Sequence, residues 1–204
     1  MMKAMPEIKP TPSLRFITHP KPRSATRGIV VHHTAAPPSQ SVEDIHAYHQ
    51  EIGWIGIGYS LVQTADGVWR EGRGIDTEGA HAKGYNRDTI GICLTGNFET
   101  RPVPDDRWLS LVSMCAALCR RYGLSAADVR GHRELPGAAT LCPGKYIDMD
   151  RLRREVSERL RRTAPPTWRV SVDGRQIGAF LDPTKAVAEA VSSESARKIE
   201  ITRI

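Results

Sequence analysis

The chain has 204 residues, long enough for one well-buried domain plus a small extra module. Its 40% hydrophobic and 25% charged residues are ordinary for a soluble globular protein, and no apolar run approaches the length of a membrane span. The net charge of +6 and only four cysteines argue against an acidic chain and against a disulfide framework.

The N-terminal stretch up to Pro22 carries Lys and Pro without an apolar core region, so it does not read as a secretory signal. Residues 1–26 are expected to form a flexible arm, because Pro6, Pro10, Pro12, Pro20 and Pro22 oppose regular structure. Gly28–His32 reads as a short buried strand, rich in β-branched residues. Ser41–Ile52 reads as a helix capped near Ser39 or Ser41, with Glu43 and Asp44 in its first turn. Tyr59–Thr64 and Val68–Glu71 flank Asp66-Gly67, a hairpin signal.

Thr89–Leu94 is a second continuous apolar strand and is expected at the sheet centre. Asp105–Tyr122 reads as an amphipathic helix with Trp108, Leu111, Val112, Cys115, Leu118 and Cys119 inward, ended by Gly123. Cys93, Cys115 and Cys119 therefore read as small core residues. Asp128–Gly131 is a short strand. Asp148–Arg162 is a third helix, whose basic side reads as a solvated face. The predicted class is α/β: a mixed central β-sheet flanked by helices.

Ala164-Pro165-Pro166 then breaks the chain. Residues 165–204 read as a small C-terminal ββαβ module: a hairpin from Trp168–Val172 and Gln176–Leu181, a helix over Pro183–Ser193, and a strand over Lys198–Ile204. Residues 151–204 hold twelve Lys/Arg against seven Asp/Glu, so almost all of the net charge lies there. Such a balance suits anionic polymers, and the module is a candidate for cell-wall binding, for a dimer contact or for a cap.

Three separated groups carry the chemistry. His32 ends the first apolar strand, His132 follows Gly131, and Cys142 lies in a turn-rich segment before Pro143-Gly144. Imidazole and thiolate are preferred zinc ligands, and three protein ligands leave a fourth position open. About a hundred residues separate them, so only a fold joins them.

The segments around these groups are Ile29-Val30-Val31-His32-His33-Thr34-Ala35, Gly53-Trp54 with Ile57-Gly58-Tyr59, Gly79-Ala80-His81-Ala82-Lys83-Gly84-Tyr85-Asn86, Thr89-Ile90-Gly91-Ile92-Cys93-Leu94, Gly131-His132-Arg133 and Cys142-Pro143-Gly144. In this order, over roughly residues 27–160, they resemble the zinc amidase family of short phage endolysins, bacterial N-acetylmuramoyl-L-alanine amidases and animal peptidoglycan recognition proteins.

The resemblance implies an amidase domain over residues 27–163 that binds Zn2+ through His32, His132 and Cys142. It implies cleavage of the bond between N-acetylmuramic acid and L-alanine in peptidoglycan. Tyr59 matches the family's tyrosine that acts on the attacking water. Thr140 falls where endolysins carry lysine and recognition proteins carry threonine, so it is the second catalytic candidate. His81 and Asn86 match the substrate wall, and Trp54 and His33 are further candidates for lining the groove. Gly56 replaces a common acidic residue.

His46 and His49 read as exposed helix histidines rather than a second metal site. Made in a host cytoplasm without a signal peptide, the enzyme would act on the wall after release, as endolysins do. The rival is a non-catalytic peptidoglycan-binding module; such proteins typically lack the cysteine ligand, so Cys142 favours the enzyme. A nucleic-acid partner has only charge in its favour.

Overall fold

The computed structural model describes residues 5–162, 168–173, 175–180, 184–185 and 199–203. It divides into two compact units, Met1–Arg161 and Arg162–Ile204.

The first unit is built on a six-stranded mixed sheet in the order β1-β4-β3-β5-β2-β6. Its centre is β2 (Gly28–His33) beside β5 (Thr89–Leu94), parallel and in register from Gly28 opposite Thr89 to His33 opposite Leu94. Every residue of both strands is buried, as expected for continuous apolar runs covered on both faces. β6 (Val129–Gly131) adds parallel to the other edge of β2. On the far side of β5 come β3 (Leu61–Gln63) and β4 (Trp69–Glu71), an antiparallel hairpin. Its turn is closed by Asp66, whose Oδ1 accepts from the Val68 N–H at 3.1 Å, and by Gly67 at φ 75°.

Alternation along the strands sorts the helices. Ile29 and Val31 of β2, with Ile90, Ile92 and Leu94 of β5, pack against α2 (Asp105–Tyr122) and α3 (Met149–Arg162). Cys115 and Cys119 are buried in that layer as core residues. α2 ends where Gly123 takes φ 67° and returns its N–H to the Cys119 carbonyl. Trp108 of α2 donates to Glu155 of α3 at 2.8 Å, and the Arg151 guanidinium lies 4.5 Å over its ring. On the opposite face, α1 (Val42–Glu51) packs Val42 and Ile45 on Ile57, Val62 and Cys93. Ser41 and Asp44 cap α1 reciprocally at 3.0 and 2.8 Å. Among the described residues no helix is long and apolar enough to cross a membrane.

Two expectations need correction. The described part of the N-terminal arm is packed, not free. Ile8–Lys9 forms β1, parallel to Trp69–Arg70 of β4, and Pro22 bridges to Thr77. Leu14 and Phe16 lean on the α1 cluster, and the Arg23 guanidinium donates to the Thr77 and Ile75 carbonyls. Prolines that bar a central strand are compatible with an edge, and β4 offers an edge that needs covering. His46 and His49 are buried, not exposed. Nδ1 of His46 accepts from the Ile57 N–H at 3.2 Å, and Nδ1 of His49 accepts from the Gly58 N–H at 3.0 Å. These rings join α1 to the backbone that leads into Tyr59. At Gly56, with φ 141°, a Cβ would lie 2.5 Å from His46 Cε1, so the packed ring excludes any side chain there.

In the second unit β7 (Trp168–Val172) pairs antiparallel with both β8 (Arg175–Phe180) and β9 (Ile199–Arg203). Most of the helix expected over Pro183–Ser193 lies outside the described residues.

Candidate metal centre

The site lies at the carboxyl ends of the parallel strands, where loops leave the sheet. His32 is near the end of β2, on the α1 face, and is 1% exposed. His132 starts a single 3₁₀ turn directly after β6. That turn is fixed by Glu134, whose Oε2 accepts from the Gly131 N–H at 2.8 Å. Cys142 is brought in by a loop held to the same turn. The Arg133 N–H donates to the Cys142 carbonyl at 2.7 Å, and the Arg133 guanidinium donates to the Gly144 and Ile147 carbonyls at 2.7 and 3.0 Å. Gly144 has φ 94°, and a Cβ there would lie 2.3 Å from the Phe98 backbone, so the loop seats against the Phe98 segment only with glycine.

The three donors converge. One ligand atom from each of His32, His132 and Cys142 lies within 4.8 Å of the others. Cys142 Sγ is 3.6 Å from Nδ1 of His32, and the His33 N–H donates to the same sulfur at 3.4 Å. Burial and the neighbouring histidines hold His32 well below the usual imidazole pKa, and burial lowers His132. Both rings are therefore neutral and have a lone pair to give. Burial pushes the Cys142 thiol up to about 11, against the His33 N–H and Arg133, which lower it. The metal-free protein thus holds a thiol that a bound cation must deprotonate. Two imidazoles and one sulfur, two of them only half-buried, make a three-ligand set of the kind that binds zinc with a position to spare. Among the described residues no second group of three His, Cys, Asp or Glu side chains comes together in this way.

Around the centre, the other expected site residues take distinct places. Tyr59 stands beside His32, with ring centroids 5.2 Å apart. Burial, then Cys93 and Cys142, raise its pKa well above the usual phenol value, so it keeps its proton and has a hydrogen bond to donate. Thr140 accepts from the Cys142 N–H at 3.1 Å through its Oγ1 and still carries its hydroxyl proton. A groove of about 580 Å³ opens between the segments 80–86 and 135–140, with His132, Thr140 and Trp54 on its walls. Trp54 is 37% exposed and stacks on His49, with centroids 4.5 Å apart.

Three of the expected groove residues hold other partners. His33 points to the α2 face, where its Nδ1 accepts from the Phe98 N–H at 3.0 Å, so it does not line the groove. Adjacent residues of a strand face opposite sides, and His32 has taken the groove side. Asn86 borders the groove, but its Oδ1 accepts from the His81 and Ala82 N–H groups at 2.8 and 2.9 Å and so organises its own loop. His81 is buried, and its Nδ1 lies 3.0 Å from Nε2 of His32. Glu134, a residue outside the expected site, also shapes it. Its position three residues after Gly131 fits one half of a capping box, the carboxylate accepting from the Gly131 N–H, since glycine has no side chain to return the bond.

A family description, N-acetylmuramoyl-L-alanine amidase, matches residues 22–145, a stretch that contains all three converging donors. The chain belongs to the N-acetylmuramoyl-L-alanine amidase family. Within the amidase family it is 36% identical over 130 residues to the endolysins of Escherichia phage T7 and Enterobacteria phage T3, covering 60% of this chain and 83% of each relative. Among solved structures it resembles the endolysin amidase LysCS from Clostridium intestinale URNW, with a TM-score of 0.69, 28% identity, and 74% of this chain and 96% of that one covered. It also resembles a mutant of Drosophila PGRP-LB in complex with tracheal cytotoxin, with a TM-score of 0.59, 27% identity, and 66% and 85% covered. The amidase match ends before the second unit.

Proposed function

We propose that this chain is a zinc-dependent amidase that cleaves the bond between the lactyl group of N-acetylmuramic acid and L-alanine in peptidoglycan. The carrying observation is the convergence of His32, His132 and Cys142 beside an open groove. The endolysin relatives support the hydrolytic reading, and the resemblance to a recognition protein in complex with tracheal cytotoxin supports a muramoyl-peptide ligand.

Zinc held by the three donors supplies Lewis-acid activation of water and of the scissile carbonyl. The residues do the rest. Tyr59 stays protonated in its buried position and donates a hydrogen bond toward the reacting oxygens. Thr140 donates a hydrogen bond from its hydroxyl to the developing oxyanion without adding charge. Trp54 and the wall at 80–86 hold the substrate in the groove. Without metal the same groove reads as a recognition surface only, and Cys142 so close to His32 favours the enzyme.

The test is cleavage of a soluble muramoyl-L-alanyl peptide, following the free L-alanine amino group, before and after chelation and zinc restoration. Activity that follows zinc supports the amidase; wall binding without release of the amino group establishes the recognition module instead. We also propose that residues 165–204 assist wall attachment from a protein made in a host cytoplasm. A chain ended after Thr163 is then expected to cleave the soluble substrate and to sediment less with cell walls. Equal sedimentation overturns that role.

A further inference from the structure

The buried His81 ring sits on the side of His32 that faces away from Cys142. Nε2 of His32 lies 3.0 Å from Nδ1 of His81, while Nδ1 of His32 lies 3.6 Å from Cys142 Sγ. The two nitrogens of one ring thus serve two different partners. A neutral imidazole carries one proton, so which nitrogen holds it decides whether His32 can ligate at all.

The rest of the chain of contacts answers that question. The Thr89 hydroxyl donates to the Tyr85 carbonyl. A hydroxyl has one proton, so toward Nε2 of His81, 3.4 Å away, the Thr89 oxygen is left as an acceptor. Nε2 of His81 therefore carries the proton, and Nδ1 is bare. A bare Nδ1 accepts from Nε2–H of His32, which leaves Nδ1 of His32 with its lone pair turned toward Cys142.

The His81 ring is also held in place. A Cβ on Gly91 would lie 2.4 Å from its Cγ, and a Cβ on Gly79 would lie 2.4 Å from its Cδ2. Gly91 interrupts an otherwise apolar central strand, and this close approach is the reason. Asn86 Oδ1 holds the backbone here by accepting from the His81 and Ala82 N–H groups.

We infer that His81 is a positioning residue, which fixes the tautomer of His32 and so presents Nδ1 to the metal. The Tyr85 carbonyl, Thr89, His81 and His32 form one directional relay. Outer partners of this kind contribute about 10–100-fold to metal affinity. This inference rests on the reading of His32, His132 and Cys142 as a zinc site.

Two measurements test it. Long-range proton–nitrogen NMR of the zinc-free protein with labelled histidine is expected to show both His32 and His81 as Nε2–H tautomers. Finding His32 protonated on Nδ1 overturns the inference, and this needs no variant. Zinc affinity by chelator competition is expected to fall about 10–100-fold in His81→Leu. It is expected to recover in part in His81→Asn, whose side-chain oxygen can accept near the place of Nδ1. A His81→Leu protein that folds and binds zinc within twofold of the parent overturns the inference. If the parent chain itself binds no zinc, the metal-site reading fails, and the tautomers still decide this one.

Discussion

Glu134 takes both terminal guanidinium nitrogens of Arg153, at 2.8 and 3.0 Å, while its Oε2 also accepts from the Gly131 N–H. One carboxylate thereby ties α3 to the turn that carries His132. Burial alone would raise the Glu134 pKa, but the Arg153 and Gly131 hydrogen bonds outweigh it and hold it below the usual value. The pair is roughly a quarter to a third exposed, so screening limits its worth.

Arg153→Leu is expected to cost about 1 kcal/mol of stability, the upper range for a bidentate but partly exposed pair. It is also expected to speed zinc release, because the His132 turn loses its anchor. A double-mutant cycle with Glu134→Gln, read by urea unfolding, measures the coupling. Additive effects would show that the pair does not hold the turn.

Cys142→Ser removes a sulfur that lies 3.6 Å from His32 and replaces it with a neutral hydroxyl. Zinc affinity is expected to fall by more than the roughly 10–100-fold attributed to outer partners. Stoichiometric zinc retained by the variant under chelator challenge would contradict the ligand assignment.

Tyr59→Phe removes only the phenol oxygen beside His32. If the phenol donates in the transition state, kcat is expected to fall about 10²-fold, with zinc content and KM nearly unchanged. Full turnover in the variant would leave Tyr59 a packing residue.

Burial, then Arg73 and His46, lowers the His49 pKa to about 4, against about 6.5 in the unfolded chain. Between these values the unfolded state binds the extra proton, so the fold is fully stable above about pH 6.5 and loses stability as pH falls toward 4. Each pH unit in that window costs at most about 1.4 kcal/mol for this residue. His49→Asn keeps an acceptor near Nδ1 for the Gly58 N–H and does not titrate. Its pH slope of unfolding free energy is expected to be shallower by up to one proton. Parallel slopes for parent and variant would show that His49 does not contribute.

The apolar runs Ile29-Val30-Val31 and Thr89–Leu94, the Asp66-Gly67 turn and the Gly123 stop are local signals, and they determined the central strands, the hairpin and α2 by themselves. Backbone sterics and side-chain periodicity act over a few residues, so one chain segment is enough to read them. The donors His32, His132 and Cys142 were legible as residue types in motifs that resemble the family. Their meeting was not, because β2, β6 and the Cys142 loop are adjacent only through the sheet order β5-β2-β6. Tertiary packing also decided which face each histidine serves. His33, His46, His49 and His81 look alike in the sequence, yet each ring nitrogen that accepts from Phe98, Ile57, Gly58 or His32 is assigned by a partner on another segment of the fold. A buried imidazole must find its partner where the fold provides one, and no local rule specifies that partner.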